Sequence, residues 1–185
     1  MPDSVVRRAE VRRAVASPKE MFGSVVQIGV VVKDLDHTVQ VLQDVFGMGP
    51  FRTIEWPPAD RSDMQRSYYG QPADFTARMA FAELGAVELE LIQPVSGASI
   101  WADFLRDRGE GIHHIRFNTY DMAPVIEHLS SHGIGIAQMG SGIRPGTTWA
   151  NFDTERQAGF VIEVMKALPG TDGRTPQIVH GQVRA

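Results

Sequence analysis

Apolar residues recur along this chain with two periods, first in a β-branched run and then at helical spacing. The run at 25–32 predicts a buried strand. Between 39 and 46 the apolar residues lie three or four positions apart, which predicts an amphipathic helix with Asp36 as its N-cap. Gly47 is expected to end this helix. A strand followed by a helix therefore opens the ordered part of the chain.

The same order of elements returns in the second half. A polar, proline-rich stretch at 57–72 interrupts the first half, and a helix at 96–106 leads into the second. The other predicted elements are strands at 75–84, 86–93, 112–119, 134–139, 147–152 and 160–166, and a helix around 125–129. Aligning Gln27-Ile28-Gly29-Val30 with His114-Ile115-Arg116-Phe117 carries Leu35 onto Met122 and Leu42 onto Leu129 without a gap. We therefore predict an α+β fold of two paired β-α-β-β-β modules, whose eight strands form a shared cleft.

The predicted divisions of the chain follow from this repeat. They are an N-terminal arm at 1–22, a first module at 23–95, a linker helix at 96–110, a second module at 111–167 and a C-terminal tail at 168–185. The arm carries arginines at helical spacing and is expected to be a short surface helix or a frayed segment. The tail is rich in Gly, Pro and Thr and is expected to be poorly ordered.

Composition excludes several classes of function. The 185 residues carry a formal net charge of −4 and no cysteine. Nucleic-acid binding is not expected, because it usually needs a basic surface. Disulfides, thiolate metal sites and catalytic thiols require cysteine and are excluded. No stretch is apolar over the length of a membrane span, and no secretory signal is recognisable, so we expect a cytoplasmic protein.

Three phrases resemble the vicinal oxygen chelate superfamily, which includes glyoxalase I, methylmalonyl-CoA epimerase and extradiol dioxygenases. They are QIGVVVKDLDHTVQVLQDVFGMGPF, VELELIQPVSGASIWADFLRDRGEGIHHIRF and GFVIEVMK, and the resemblance covers about residues 25–166. The middle phrase is the most specific and is similar to methylmalonyl-CoA epimerases. The resemblance implies the paired-module fold of the glyoxalase/bleomycin resistance/dioxygenase proteins, and the repeat agrees with it.

The resemblance also implies a metal site. One divalent ion would be held by Gln27, Glu90, His114 and Glu163, with Gln27 equivalent to His114 and Glu90 equivalent to Glu163. One imidazole, two carboxylates and an amide suit Zn²⁺, Co²⁺, Ni²⁺ or Mn²⁺. Strand alternation places His114 on one face with Arg116 and Asn118, and His113 on the opposite face with Ile115 and Phe117.

The ligand types resemble zinc-type glyoxalase I, whereas the neighbouring phrases resemble the epimerases. Both reactions remove a proton from the carbon next to a metal-bound carbonyl. We expect an isomerase, epimerase or lyase that acts on a small carbonyl or thioester compound, with Glu163 as base and Glu90 as its counterpart. A homodimer is also expected, since the family often pairs its subunits.

Two alternatives stay open. A metal-free binding protein of the same fold would use aromatic cleft walls, for which the candidates are Trp56, Tyr68, Tyr69, Phe75 and Trp149. An extradiol dioxygenase needs two histidines and one carboxylate on iron, and Gln27 replaces one of those histidines.

Further residues are substrate-binding candidates. Arg116 could hold a substrate carboxylate or phosphate, or else form a salt bridge, and Asn118 and Trp149 could line the same cleft. The epimerases have an additional catalytic glutamate, and the resemblance places its position near Met79 of this chain. Arg78 is the nearest charged residue. The glycine-rich stretch 140–146 predicts a loop that could cover the cleft.

Overall fold

One mixed sheet organises the molecule, which a computed structural model describes over residues 17–168 and, as backbone, at 178–179 and 182–183. The strands of this sheet are β1 (Val25–Val31), β2 (Arg52–Trp56), β3 (Arg66–Tyr68), β4 (Gln71–Pro72), β5 (Thr76–Leu84), β6 (Val87–Ser96), β7 (Gly111–Thr119), β8 (Ile136–Ser141), β9 (Thr148–Phe152) and β10 (Val161–Lys166). Their order across the sheet is β2-β5-β6-β1-β7-β10-β9-β8-β3-β4. A separate pair, β11 (Ile178–Val179) and β12 (Gln182–Val183), is antiparallel.

The two halves contribute four equivalent strands each. β1 pairs with β6 in parallel, as β7 does with β10, and the antiparallel pair β1–β7 joins the halves. This confirms the predicted α+β fold of two β-α-β-β-β modules. The sequence predicted no strand at β2, where Arg52, Thr53 and Glu55 interrupt the apolar pattern, and Thr53 and Glu55 are exposed.

The helices are α1 (Pro18–Phe22), α2 (Leu35–Phe46), α3 (Ile100–Arg108), α4 (Ala123–Ser131) and α5 (Glu155–Ala158). The N-cap of α2 is Asp34, whose Oδ1 accepts a hydrogen bond from the His37 backbone N–H at 3.0 Å. The prediction of Asp36 as the N-cap was therefore wrong by two residues. Asp36 instead lies in the first turn, where its negative charge still complements the helix dipole.

Three hydrophobic clusters hold these layers together. On the outer face, α2 buries Leu35 against Leu91 and Ala80 of the first module. Helix α4 does the same with Val125 and Leu129 against the second module. The third and largest cluster lies on the inner, concave face of the sheet. Within residues 17–168, burial of the outer face leaves the concave face as the sheet surface that both modules share.

A segment of the first module crosses from one edge of the sheet to the other. Residues 57–75, here called the strap, leave edge strand β2, and within them β3 pairs with β8 of the second module. The two edges can be joined in this way only if the sheet curls around its concave face. The strap therefore crosses the mouth of the cleft.

The end of the predicted arm packs on the second module. Met21 of α1 is buried in the cluster around α4, and the rings of Phe22 and Phe117 lie 5.5 Å apart. The expectations for residues 1–16 and for most of the tail concern positions outside the described residues. None of the helices in the described ranges is both long and apolar enough to cross a membrane.

Candidate functional site

Polar side chains gather at the centre of the concave face, on the four middle strands of the sheet. All are nearly or completely buried, and they are Gln27 on β1, Glu88 and Glu90 on β6, His114 and Arg116 on β7, and Glu163 on β10. Buried ionisable groups are costly unless they are paired or serve a purpose. The cluster includes all four predicted metal ligands, which are Gln27, Glu90, His114 and Glu163.

His114 lies between the two predicted carboxylates. Its Nε2 is 3.4 Å from Glu90 Oε2 and 3.6 Å from Glu163 Oε2, and it has no hydrogen-bond partner of good geometry. The imidazole ring lies directly over Gly29 of the neighbouring strand, where a Cβ atom would be 2.1 Å from the ring. The observed position of the His114 ring thus requires glycine at position 29, because any side chain there would occupy the space of the ring.

Gln27 and Arg116 form the strand pair that corresponds, in the repeat, to the pair of His114 and Gly29. Gln27 is opposite Arg116 in the strand register, as Gly29 is opposite His114. Gln27 Nε2 donates a hydrogen bond to Glu88 Oε1 at 2.7 Å, and Arg116 Nη2 lies 3.6 Å from the same oxygen. Arg116 is therefore held in a buried ion pair and is not a surface residue.

Two members of the cluster were not predicted. Asn151 on β9 is fully buried and donates from Nδ2 to Glu163 Oε2 at 3.1 Å, which orients that carboxylate. Glu88 lies two residues before Glu90 and so shares its face of β6. Strand alternation could have indicated Glu88, whereas Asn151 depends on the register of β9 against β10, which sequence does not reveal.

The pKa values in this cluster are displaced from their ordinary ranges. Burial raises the pKa of the Glu90 carboxyl, and the nearby His114 only partly opposes the effect. Burial alone would lower the pKa of His114, but the Glu163 and Glu90 carboxylates outweigh it and raise the pKa. Glu90 and His114 together therefore hold a proton more tightly than they would in water.

A β-bulge places His113 beside His114. In the register of β1 and β7, His114 is opposite Gly29 but Ile112 is opposite Val30, so His113 is an extra residue. The Nδ1 atoms of the two histidines lie 3.1 Å apart, and one ring donates a hydrogen bond to the other. The prediction that His113 shares a face with Ile115 and Phe117 was therefore wrong, because strand alternation fails at a bulge.

The donor atoms suit a divalent ion in their chemistry, and two of their separations match its size. Two ligand atoms that each lie about 2.1 Å from a tetrahedral ion are about 3.4 Å apart, close to the separations of His114 Nε2 from the two carboxylates. Gln27 Oε1 is also buried without a hydrogen-bond partner. Over residues 17–168, however, no group of three or more His, Asp or Glu side chains is already arranged to hold a metal ion.

Aromatic and sulfur-containing side chains wall the cleft above this cluster. Its cavity has a volume of about 40 Å³, and Glu90, Arg116 and Glu163 form its polar side. Its apolar walls are Trp56, Met79, Phe81, Trp101, Ile143, Trp149 and Met165. Trp149 thus lies where it was expected, and its Nε1 donates to Ser141 O at 3.1 Å. A larger cavity of about 220 Å³ lies near His113, but none of the four predicted ligands lines it.

Other candidates lie elsewhere. Arg78 forms salt bridges with Asp36 and Glu55 at 2.8 and 3.2 Å and does not line the cleft. Asn118 is half-buried opposite Met165 on β10 and is likewise not part of the cavity lining. Of the proposed aromatic walls, Tyr68 donates its hydroxyl hydrogen to Asp103 Oδ2 at 2.5 Å, and Tyr69 is exposed.

The predicted loop at 140–146 lies over the cleft in part. Ser141 ends β8, and Gly142 and Ile143 line the cavity. Arg61 of the strap donates from Nη1 to Ile143 O at 2.5 Å. The loop and the strap are thus connected over the mouth of the cleft.

The chain is similar to known proteins both in sequence and in fold. The sequence profile of the Glyoxalase/Bleomycin resistance protein/Dioxygenase superfamily matches residues 26–153. A methylmalonyl-CoA epimerase solved in complex with methylmalonyl-CoA and NH4+ has a similar structure, with a TM-score of 0.55 and 21% identity, over 78% of this chain and 94% of that chain. The Mycobacterium tuberculosis methylmalonyl-CoA epimerase gives a TM-score of 0.56 at 21% identity, over 80% and 91%. At this identity the likeness shows the fold.

A curated relative adds little about function. The uncharacterized protein YqjC of Bacillus subtilis (strain 168) is 36% identical over 56 residues. That match spans 30% of this chain and 40% of the relative.

Proposed function

Because this chain belongs to the Glyoxalase/Bleomycin resistance protein/Dioxygenase superfamily, we propose that its buried cluster removes a proton from a carbon next to a carbonyl, as a metal-dependent epimerase, isomerase or lyase does. The observation that carries this proposal is the position of His114 Nε2, buried and without a hydrogen-bond partner between the carboxylates of Glu90 and Glu163. A core stabilised only by packing would not contain such a group.

Gln27, Glu90, His114 and Glu163 would hold one Zn²⁺, Co²⁺, Ni²⁺ or Mn²⁺ ion. When bound, the ion supplies Lewis-acid polarisation of the substrate carbonyl. His114 offers Nε2 because its Nδ1 already contacts His113. Gln27 offers Oε1 because its Nε2 is held by Glu88.

Glu163 is the proposed base. Asn151 fixes its Oε2, which limits the carboxylate to one orientation towards the cleft. Glu90 comes from the equivalent strand of the other module, and both carboxylates approach His114 Nε2. A proton taken by one carboxylate could be returned by the other, which suits epimerisation and isomerisation alike.

Two classes of substrate are compatible with this proposal. The epimerase neighbours include one in complex with methylmalonyl-CoA, so an acyl-CoA thioester is one candidate. The ligand types favour a glyoxalase-like reaction on a small carbonyl compound. A metal-free binding protein is the alternative, supported by the aromatic walls of the cleft. The absence of a second histidine among the four predicted ligands disfavours an extradiol dioxygenase.

The test begins with bound metal. We expect about one divalent ion per chain by elemental mass spectrometry of untagged protein, and its loss in Glu163→Gln and Gln27→Ala. Glu127→Gln, an exposed glutamate on α4, is the matched control and should retain the metal. Deuterium exchange at the α-carbon of methylmalonyl-CoA and of small ketones then tests the reaction. Protein that binds no metal and gains no thermal stability from added Zn²⁺, Co²⁺, Ni²⁺ or Mn²⁺ would contradict the proposal.

The proposed homodimer is tested separately, by light scattering on the purified 185-residue chain. A mass of twice 20.4 kDa is expected.

A further inference from the structure

Three tryptophans, which are all that the sequence contains, meet in the cleft. Trp56, Trp101 and Trp149 pack with ring centroids 5.6 to 5.8 Å apart, and each is at least nine-tenths buried. Phe75 stacks on Trp56 at 5.4 Å. Flat aromatic surfaces of this kind favour a planar apolar partner over a flexible chain.

The tryptophans differ in their hydrogen bonds. The indole Nε1 of Trp149 donates to Ser141 O at 3.1 Å, whereas that of Trp101 is buried without any partner. A buried N–H left unpaired costs about 1–3 kcal/mol. Trp101 lines the same cavity as Glu90, Arg116 and Glu163. An acceptor carried by a ligand would satisfy this donor.

The strap restricts the length of that ligand. It crosses the mouth of the cleft through the β3–β8 pairing, and Arg61 ties it to Ile143, which itself lines the cavity. A long substituent such as the pantetheine arm of coenzyme A could not leave the cleft on the side that the strap covers. The free volume of about 40 Å³ also requires that the aromatic side chains separate around any ligand.

From these observations, and resting on the function proposed above, we infer that the substrate is a small ketone with an aromatic ring, a C–H next to its carbonyl, and a hydrogen-bond acceptor on the ring. The ring inserts between the tryptophans, and the acceptor receives the Trp101 N–H. The carbonyl and its adjacent C–H face Glu90 and Glu163, where the proton moves to a carboxylate oxygen and the electron pair of the C–H bond becomes that of an enolate.

Matched ketones test the inference in the whole 185-residue chain. The probes are 2-indanone, its 4-methoxy and 5-methoxy derivatives, cyclopentanone, and methylmalonyl-CoA. Because the ligand enters among the tryptophans, indanones should change tryptophan emission. They should bind at least tenfold more tightly than cyclopentanone, which lacks the fused ring. At least one methoxy derivative should bind about fivefold more tightly than 2-indanone, through one added hydrogen bond.

Two variants separate the hydrogen bond from the aromatic surface. Trp101→Phe retains most of the ring and loses the N–H, so the advantage of the methoxy derivative should disappear. Trp149→Phe is the control, since its N–H is already used within the protein. It should affect all indanones equally. Circular dichroism melts establish that each variant is folded, and the comparison between probes within one variant does not depend on its stability.

The outcomes distinguish this inference from the proposed function. If methylmalonyl-CoA exchanges its α-proton and the indanones do not bind, the inference is overturned and the function stands. If the indanones bind without metal or proton exchange, the ligand class is supported and the enzymatic function falls. A methoxy advantage that survives Trp101→Phe overturns the role of Trp101.

Discussion

Gly29→Ala tests whether the cluster depends on the position of the His114 ring. The added Cβ would lie 2.1 Å from Cε1, 2.3 Å from Nε2 and 2.5 Å from Nδ1 of the imidazole. The ring must move by about 1.3 Å to reach an ordinary contact distance. The φ angle of Gly29 is not in the left-handed region, so the backbone itself accepts alanine.

The magnitude follows from how firmly the ring is enclosed. His114 is completely buried, contacts His113 through Nδ1, and lies between Glu90 and Glu163. Overpacking of such a site costs about 1–3 kcal/mol. The lower entropy of the unfolded chain returns about 0.4–1 kcal/mol. A net loss of about 1–2 kcal/mol lowers the Tm by about 2–8 °C in a protein of this size.

The assay combines stability with a direct readout of the ring. Thermal melts should show the loss, the NMR resonance of His114 Cε1 should shift, and the affinity for divalent metal should fall at least tenfold. Gly135→Ala is the control, because no atom lies within 4 Å of its added Cβ. It should stabilise the protein by about 0.4–1 kcal/mol. If Gly29→Ala is as stable as the original protein and leaves the His114 resonance unchanged, the described packing is incorrect.

Three further predictions concern the surroundings of the cluster. The hydrogen bond to Asp103 raises the pKa of Tyr68 to about 12, so one tyrosine should titrate late in ultraviolet absorbance, and Asp103→Asn should lower that pKa. Because the folded pKa is raised, this hydrogen bond stabilises the protein fully below about pH 10 and the benefit is lost as the pH rises towards the folded value. Glu88→Ala removes a partner of both Gln27 and Arg116 and should cost about 3–5 kcal/mol in urea unfolding, whereas a cost under about 1 kcal/mol would mean that the pair is solvated. Arg61→Ala removes the bond from strap to Ile143 and should speed indanone association, with Arg144→Ala in the neighbouring loop as the control.

The repeat made much of the fold and site predictable. Gln27 and His114 could be aligned because each lies in a strand that is followed by a helix with the same apolar spacing. These two strands, β1 and β7, occupy corresponding positions in the two modules. The family match over residues 26–153 confirms the resemblance, although the segment GFVIEVMK lies beyond the matched residues. Glu90 and Glu163 were placed by the resemblance to the superfamily, and the strands that carry them, β6 and β10, occupy equivalent positions in the two modules.

Features that depend on pairing between distant segments could not be predicted. The bulge at His113 exists only in the register of β7 against β1. Arg78 was a reasonable candidate from its position beside Met79, yet strand alternation turns Met79 to the cleft and leaves Arg78 to pair with Asp36 and Glu55. The strap strands are two or three residues long, too short for any period to be recognised.

The strap also constrains how the chain acquires its structure. Its partner strand β8 lies about 70 residues further along the chain, so during synthesis the strap emerges long before it has anything to pair with. It can dock only after the second module has formed its own hairpin, and that pairing then covers a sheet edge that would otherwise attract other chains. Docking of the strap and closing of the cleft are thus the same event, and a chain that stalls before it presents both an open site and an exposed edge.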